Sequence, residues 1–224
     1  MSGYTSIFFC YNHLMKQYIL LDWDGNLAKT LDVWLQACRA PLEKRGLTLT
    51  DEEVARCFGM PVERFTEWGI TDIDDAIDEM DEMAVRLLPD VELYPDALEV
   101  LESFKKLGKK TALITTSGRS KVIQLLDKYD MHHYFDVIVA HEDTKQHKPH
   151  PEPLEFALQK LGGNIKDSIM IGDSDKDIGA ANNAGIDSIL FYPDEHRKFY
   201  NLSELEKLKP TYIVEDFRQI LDII

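Results

Sequence analysis

Short apolar runs recur along the chain and predict the strands of a buried parallel sheet. Each run is rich in Ile, Leu or Val and lacks the polar alternation of a strand with one face in water. The runs are Tyr18–Leu21, Thr111–Thr115, Asp136–Ala140, Ser168–Ile171, Ser188–Phe191 and Tyr212–Val214.

Helical patterns alternate with these runs from residue 97 onward. The first is 97–107, whose apolar positions share one helix face and which Gly108 ends. Further helices are predicted at 120–129, 152–161 and 177–184. The alternation predicts an α/β fold with a doubly wound, mainly parallel, Rossmann-like sheet. In such a fold the active site lies beyond the carboxyl ends of the strands.

The segment between Asp24 and Pro95 interrupts the alternation, because it contains helical patterns only. These patterns lie at about 30–45, 51–58, 61–68 and 72–88. We therefore predict a small α-helical cap domain over residues 30–92, inserted into a catalytic core formed by residues 15–29 and 93–224. Residues 1–14 are predicted to be an N-terminal extension with no assigned role in the fold.

The charge balance narrows the classes of partner. The 224 residues include 25 Lys and Arg against 40 Asp and Glu, which gives a net charge of −15. Such a chain is unsuited to a nucleic-acid backbone, so no nucleic-acid partner is expected. No apolar run reaches the length of a membrane span, and the three cysteines form no disulfide framework. We expect a cytoplasmic protein without a membrane partner, as a monomer or a small homo-oligomer.

The first strand ends in a pair of carboxylates, Asp22 and Asp24, followed by Gly25. Side chains two residues apart on an extended chain point to the same side. Crowded carboxylates are unfavourable unless a cation or a proton neutralises them. Calcium loops also use this pattern, but the oxygen ligands and terminal Glu of such a loop do not follow Gly25.

Polar residues also follow the later strands. Thr115 and Thr116 end the second run, Lys148 lies in a Pro-bracketed loop, and Asp173 and Asp177 follow the fourth run. Four carboxylates and a bound phosphate ester require a divalent cation as well as the lysine. Oxygen ligands alone favour Mg²⁺ over zinc, so Mg²⁺ is the predicted cofactor.

The order of these motifs resembles that of the haloacid dehalogenase-like superfamily. The motifs are D-x-D-G, a Thr at a strand end, Lys-Pro, and Gly-Asp-x-x-x-Asp. The helical insert after the first motif resembles the subgroup of phosphoglycolate phosphatase and β-phosphoglucomutase. The resemblance extends from Lys16 to about Tyr192. One departure is Asn26, where the family commonly has Thr.

The resemblance implies a role for each motif residue. Asp22 is implied to be the nucleophile that forms an aspartyl-phosphate, and Asp24 the acid and base. The side chains of Asp22 and Asp173 and the backbone carbonyl of Asp24 are implied to hold Mg²⁺. Further roles are phosphoryl binding by Thr115, Thr116 and Lys148, and orientation of Lys148 by Asp177.

The sequence thus predicts a Mg²⁺-dependent phosphatase acting on a small phosphorylated metabolite. Two alternatives stay open: a phosphomutase using the same aspartyl-phosphate, and a non-catalytic phosphate-binding module. Arg64 follows a Gly-Met-Pro turn that resembles the cap loop facing the site in this subgroup, so it is predicted to contact the substrate. His141 and His147 lack the spacing of a zinc site and are interpreted as loop residues.

Overall fold

The computed structural model describes residues 16–224, and the predicted extension over 1–14 lies outside these residues. The strands are β1 Tyr18–Leu21, β2 Lys110–Ile114, β3 Val137–Val139, β4 Ser168–Gly172, β5 Asp187–Phe191 and β6 Tyr212–Val214. They form one parallel sheet in the order β3-β2-β1-β4-β5-β6. The predicted doubly wound α/β fold is confirmed, and no strand bound differs from the prediction by more than one residue.

The helices lie on both faces of this sheet and in the segment after β1. They are α1 Leu31–Lys44, α2 Asp51–Ala55, α3 Pro61–Glu67, α4 Ile73–Leu87, α5 Ala97–Lys106, α6 Arg119–Lys128, α7 Glu152–Leu161, α8 Asp175–Ala184 and α9 Leu202–Glu206. Across residues 16–224, no helix combines the length and apolar character that a bilayer crossing requires.

The central strand β1 shows why the sheet is covered on both faces. Ile19 and Leu21 belong to one apolar cluster, with residues of α5, whereas Leu20 belongs to a second cluster, with residues of α7 and α8. All three side chains are fully buried. Because alternate side chains of a strand point to opposite faces, an unbroken apolar run is the pattern that two covered faces require.

Helices α1 to α4, which we call the helical insert, leave and rejoin the core at one point. The segments before α1 and before α5 pair with each other: Lys29 N donates to Glu92 O at 2.8 Å, and Tyr94 N donates to Leu27 O at 3.0 Å. Inside the insert, α1 packs against α4. The insert lies over the carboxyl ends of β1, β2 and β4, where the order of connections in the sheet reverses.

Candidate active site

Lys148 connects the ends of β1, β2 and β4. Its Nζ lies 2.6 Å from Asp22 Oδ1 and 2.6 Å from Asp177 Oδ1, and it donates to the Ile114 carbonyl at 3.0 Å. These acceptors use all three N–H groups of the ammonium. The residue is only 4% exposed. Lys148 is therefore fixed in one position, against the carboxylate at the end of β1.

Asp177 is held by the first turn of α8. Ser174 donates to Asp177 Oδ2 through its backbone N at 3.1 Å, a bond of the capping box of this helix, and through its Oγ at 2.7 Å. Burial raises the pKa of Asp177, but Lys148 and the Ser174 donors outweigh burial and hold that pKa below its ordinary value. Asp177 therefore stays ionised and can orient Lys148.

The other two buried carboxylates carry charge that Lys148 does not neutralise. Burial and, next, the charge of Asp177 together raise the pKa of Asp22 to about 8, against the opposing effect of Lys148. Burial, with the charges of Asp177 and Asp22, also raises the pKa of Asp173 well above its ordinary value. The cluster thus holds more acidic groups than its one ammonium can balance.

This excess of oxygen ligands fits a hard divalent cation. Carboxylate oxygens of Asp22, Asp173 and Asp177 lie within 4.8 Å of one another. Asp173 Oδ2 is buried and has no hydrogen-bond partner among residues 16–224. A Cβ on Gly25, which has φ +74°, would lie 2.3 Å from this oxygen. The glycine turn therefore brings its backbone up to the unpartnered carboxylate, and the all-oxygen set suits Mg²⁺.

Asp24 accepts hydrogen bonds on both oxygens. Trp34 Nε1, from α1, donates to Oδ1 at 2.6 Å. Ser117 Oγ donates to Oδ2 at 2.7 Å, and Thr115 Oγ1 lies 3.3 Å from the same oxygen. The contact from Trp34 was not foreseen, because nothing in the sequence pairs a residue of the insert with the strand end.

Asn26 takes part in the same turn. Its Nδ2 donates to the backbone carbonyl of Asp22 at 3.0 Å, and the residue is fully buried. This bond therefore closes the D-x-D-G turn. The side chain of Asn26 makes no hydrogen bond with Lys148 or with the carboxylates of the site.

A cavity of about 720 Å³ opens between the strand ends and the helical insert. The strand ends contribute Asp22, Asp24, Thr116, Lys148 and Asp173. The wall from the insert is mainly apolar; it includes Leu31, Trp34, Phe58, Ile77 and Met80. The acidic residues that the insert contributes to the lining are Glu63 and Asp81.

The structure does not bring Arg64 to this cavity. Its guanidinium pairs with Glu67 one turn further along α3, and Arg64 is not among the described residues that line the cavity. Lys176 lines the cavity instead, next to the turn that Gly59 forms in the insert. A Cβ on Gly59 would lie 3.6 Å from Lys176 Cδ. A substrate contact by Arg64 stays a prediction. Lys176 is better placed than Arg64 to contact a substrate, because Lys176 lines the cavity.

A parallel sheet with an acidic cluster at its switch point and a helical insert after the first strand defines the haloacid dehalogenase-like hydrolases. The sequence model described as "Haloacid dehalogenase-like hydrolase" matches residues 19–191. The chain belongs to this family and is an enzyme of the hydrolase class. The resemblance found in the sequence is confirmed.

Individual relatives are similar over nearly their whole length. A protein of Caldanaerobacter subterraneus subsp. tengcongensis named "Putative pyrophosphatase PpaX" is 32% identical over 92% of this chain and 93% of its own. "Pyrophosphatase PpaX" of Oceanobacillus iheyensis is 27% identical over 92% of this chain and 95% of its own. A crystal structure described as "Putative haloacid dehalogenase-like hydrolase from Bacteroides fragilis" is 28% identical, with a TM-score of 0.80, and the match covers 91% of this chain and 99% of that one.

Proposed function

We propose that this enzyme is a Mg²⁺-dependent phosphatase that hydrolyses a small phosphorylated substrate through an aspartyl-phosphate on Asp22. The observation that carries the proposal is the buried contact of Asp22 with Lys148, beside Asp173 and Asp177. A nucleophilic carboxylate next to a fixed cation suits phosphoryl transfer, since the cation stabilises the negative charge on the transferred group.

In the first step, an oxygen of Asp22 attacks phosphorus and the bond from phosphorus to the leaving oxygen breaks. Asp24, as the general acid, gives a proton to that oxygen. Lys148 keeps Asp22 in place before the attack. The N–H that it directs at Asp22 then turns to an oxygen of the transferring group, which the hydroxyls of Thr115 and Thr116 also bind. The product of this step is the free leaving group and phosphorylated Asp22.

In the second step, Asp24 takes a proton from a water molecule whose oxygen attacks phosphorus. The bond between phosphorus and Asp22 breaks, which releases inorganic phosphate and restores the carboxylate. Asp22, Asp173 and the Asp24 backbone carbonyl are the groups that would hold Mg²⁺. When bound, the ion supplies positive charge that balances the carboxylates and the phosphate oxygens.

The substrate test follows from the relatives and the cavity. Two relatives are named as pyrophosphatases, so inorganic pyrophosphate belongs in the assay. The cavity of about 720 Å³ also has room for sugar phosphates and nucleotides. Phosphate release is measured over such a panel with Mg²⁺, and again with excess EDTA. We expect turnover of at least one substrate, with loss in EDTA.

The covalent step is tested with Asp22→Asn, and Asp175→Asn serves as the matched control because its side chain is exposed in the same motif. We expect a loss of at least about a thousandfold in turnover for Asp22→Asn and near-normal turnover for the control. Acid-quenched wild-type enzyme should carry phosphate on Asp22 in a hydroxylamine-sensitive bond. Unchanged turnover in Asp22→Asn would contradict the mechanism. Bisphosphate-dependent isomerisation of a sugar phosphate would instead identify a phosphomutase.

A further inference from the structure

We propose that Trp34 is a positioning residue: from the helical insert, it orients the carboxyl group of Asp24 for proton transfer to the leaving group. The inference rests on the proposed function, because it assumes that Asp24 is the acid. The observation behind it is a hydrogen bond of 2.6 Å from the indole Nε1 of Trp34 to Asp24 Oδ1.

The indole N–H is an unusual polar group on its side of the cavity. The insert's other lining residues are mainly apolar, for example Leu31, Ile77 and Met80, although Asp81 is also among them. An indole offers one donor and no acceptor. Its N–H is directed at one carboxyl oxygen of the acid–base residue, so the bond restricts the direction in which that carboxyl group points. Trp34 therefore gives a mainly apolar wall one directed contact with the acid–base residue.

A second contact holds the indole in place. Lys121 of α6 lies with Nζ 5.7 Å from the centroid of the Trp34 ring. The same ammonium pairs with Asp81 of α4 at 2.6 Å. Lys121 thus joins the core helix α6 to two helices of the insert. These contacts of Lys121 hold the insert against the core, in the position where Trp34 reaches Asp24.

The effect on Asp24 follows from how its two oxygens are held. Ser117 and Thr115 hold Oδ2, and both come from the core. Within residues 16–224, the hydrogen bond to Oδ1 comes from Trp34, which belongs to the insert. Without the indole N–H, the carboxyl group loses the donor that fixes its rotation. Proton transfer depends on the distance and angle to the leaving oxygen, so the acid step should suffer first.

The test compares leaving groups. Phenyl phosphate and p-nitrophenyl phosphate have similar shapes, but phenoxide needs a proton to leave far more than p-nitrophenoxide does. The parameter kcat/KM reports the steps up to departure of the leaving group. For Trp34→Phe, which keeps an aromatic ring, we expect kcat/KM to fall about tenfold or more with phenyl phosphate and less than about threefold with p-nitrophenyl phosphate.

Two further variants separate positioning from folding. Trp68→Phe makes the same chemical change at another partly buried position of the insert and should leave both values near wild type. Trp34→His removes the large ring but keeps an N–H donor, so it should restore part of the loss with phenyl phosphate. Melting temperatures of all variants are measured in parallel.

The outcomes are distinct. If Trp34→Phe loses kcat/KM equally with both esters, or not at all, the role of Trp34 is overturned. Where Trp34→His folds better than Trp34→Phe, the same comparison is made with Trp34→His. If the wild-type enzyme hydrolyses both esters and Asp22→Asn hydrolyses neither, the proposed function holds whatever Trp34 does. If the wild-type enzyme hydrolyses neither ester nor any substrate of the panel, the proposed function fails, and the role of Trp34 fails with it.

Discussion

We predict that the metal-free enzyme loses stability as the pH rises, because its crowded, buried carboxyl groups then have to ionise. Asp22→Asn should remove much of this loss. The pKa of Asp22 is about 8 in the folded protein, against an ordinary value of 3.8. The folded state therefore holds this proton more tightly than the unfolded chain does. The contribution is fully present below about pH 4 and is lost as the pH rises to about 8.

The magnitude follows from the distance between the two pKa values. Each pH unit between them corresponds to about 1.4 kcal/mol, so the whole window amounts to on the order of 6 kcal/mol for Asp22 alone. Asp173, whose pKa is also raised, adds to the loss. Asp177 acts in the opposite direction, because its lowered pKa stabilises the folded state above its ordinary pKa. Its window lies below about pH 4 and does not overlap.

The assay is urea unfolding followed by circular dichroism in excess EDTA, at several values between about pH 5 and about pH 8. We expect the free energy of unfolding of the wild type to fall by several kcal/mol over this range. Asp22→Asn should fall by clearly less, because Asp173 loses a charged neighbour as well. Asp175→Asn, at an exposed position, should follow the wild type. Parallel slopes for wild type and Asp22→Asn would refute the reasoning.

Three further predictions concern single contacts. Lys148→Met should destabilise the protein by about 3–5 kcal/mol and abolish turnover, since it leaves Asp22 and Asp177 buried without their cation; urea unfolding measures the cost. Gly25→Ala should cost more than the roughly 1 kcal/mol of a positive φ, because its Cβ would meet the Asp173 carboxylate; calorimetric Mg²⁺ titration should also show weaker binding. Lys176→Ala should lower kcat/KM for the best panel substrate more than for p-nitrophenyl phosphate, because Lys176 lines the cavity.

Each of these variants has a matched control. Lys145→Met changes an exposed lysine of the same loop and should be nearly neutral. Gly46→Ala introduces the same strain at φ +78° with no atom within 4 Å, so equal costs at the two glycines would show that Asp173 is not disturbed. Arg64→Ala should affect both substrates alike, because that arginine pairs with Glu67. A stronger selective effect for Arg64 than for Lys176 would reverse this assignment.

The strands and the charged centre could be predicted from sequence because each has a local cause. The run at Ile19–Leu21 is apolar because both faces of β1 are covered, and this pattern is visible without any knowledge of its neighbours. The meeting of Asp22, Lys148 and Asp177 follows from parallel strands ending at one edge. The roles of these residues in the reaction stay predictions.

Contacts across the insert could not be predicted in this way. The bond from Trp34 to Asp24 depends on how α1 is tilted over the strand ends, and the nine residues between them do not determine that angle. The sequence shows that Arg64 follows a turn, but it does not show that the guanidinium pairs with Glu67 on the same helix face. The short helix α9, at Leu202–Glu206, was missed because five residues give too little periodicity.

The pairing of the two connecting segments has a consequence for how such enzymes can change. Ala28 and Leu93 form an antiparallel bridge, so the chain that leaves the core after β1 returns beside its point of departure. The entropy cost of holding two such points together grows only slowly with the length of polypeptide between them, by about 0.6 kcal/mol for each doubling of that length. Evolution or a designer can therefore exchange the intervening helices while Asp22, Lys148 and Asp173 keep their places. The contacts of the insert with the core, such as those from Trp34 to Asp24 and from Asp81 to Lys121, would have to be rebuilt with each new insert.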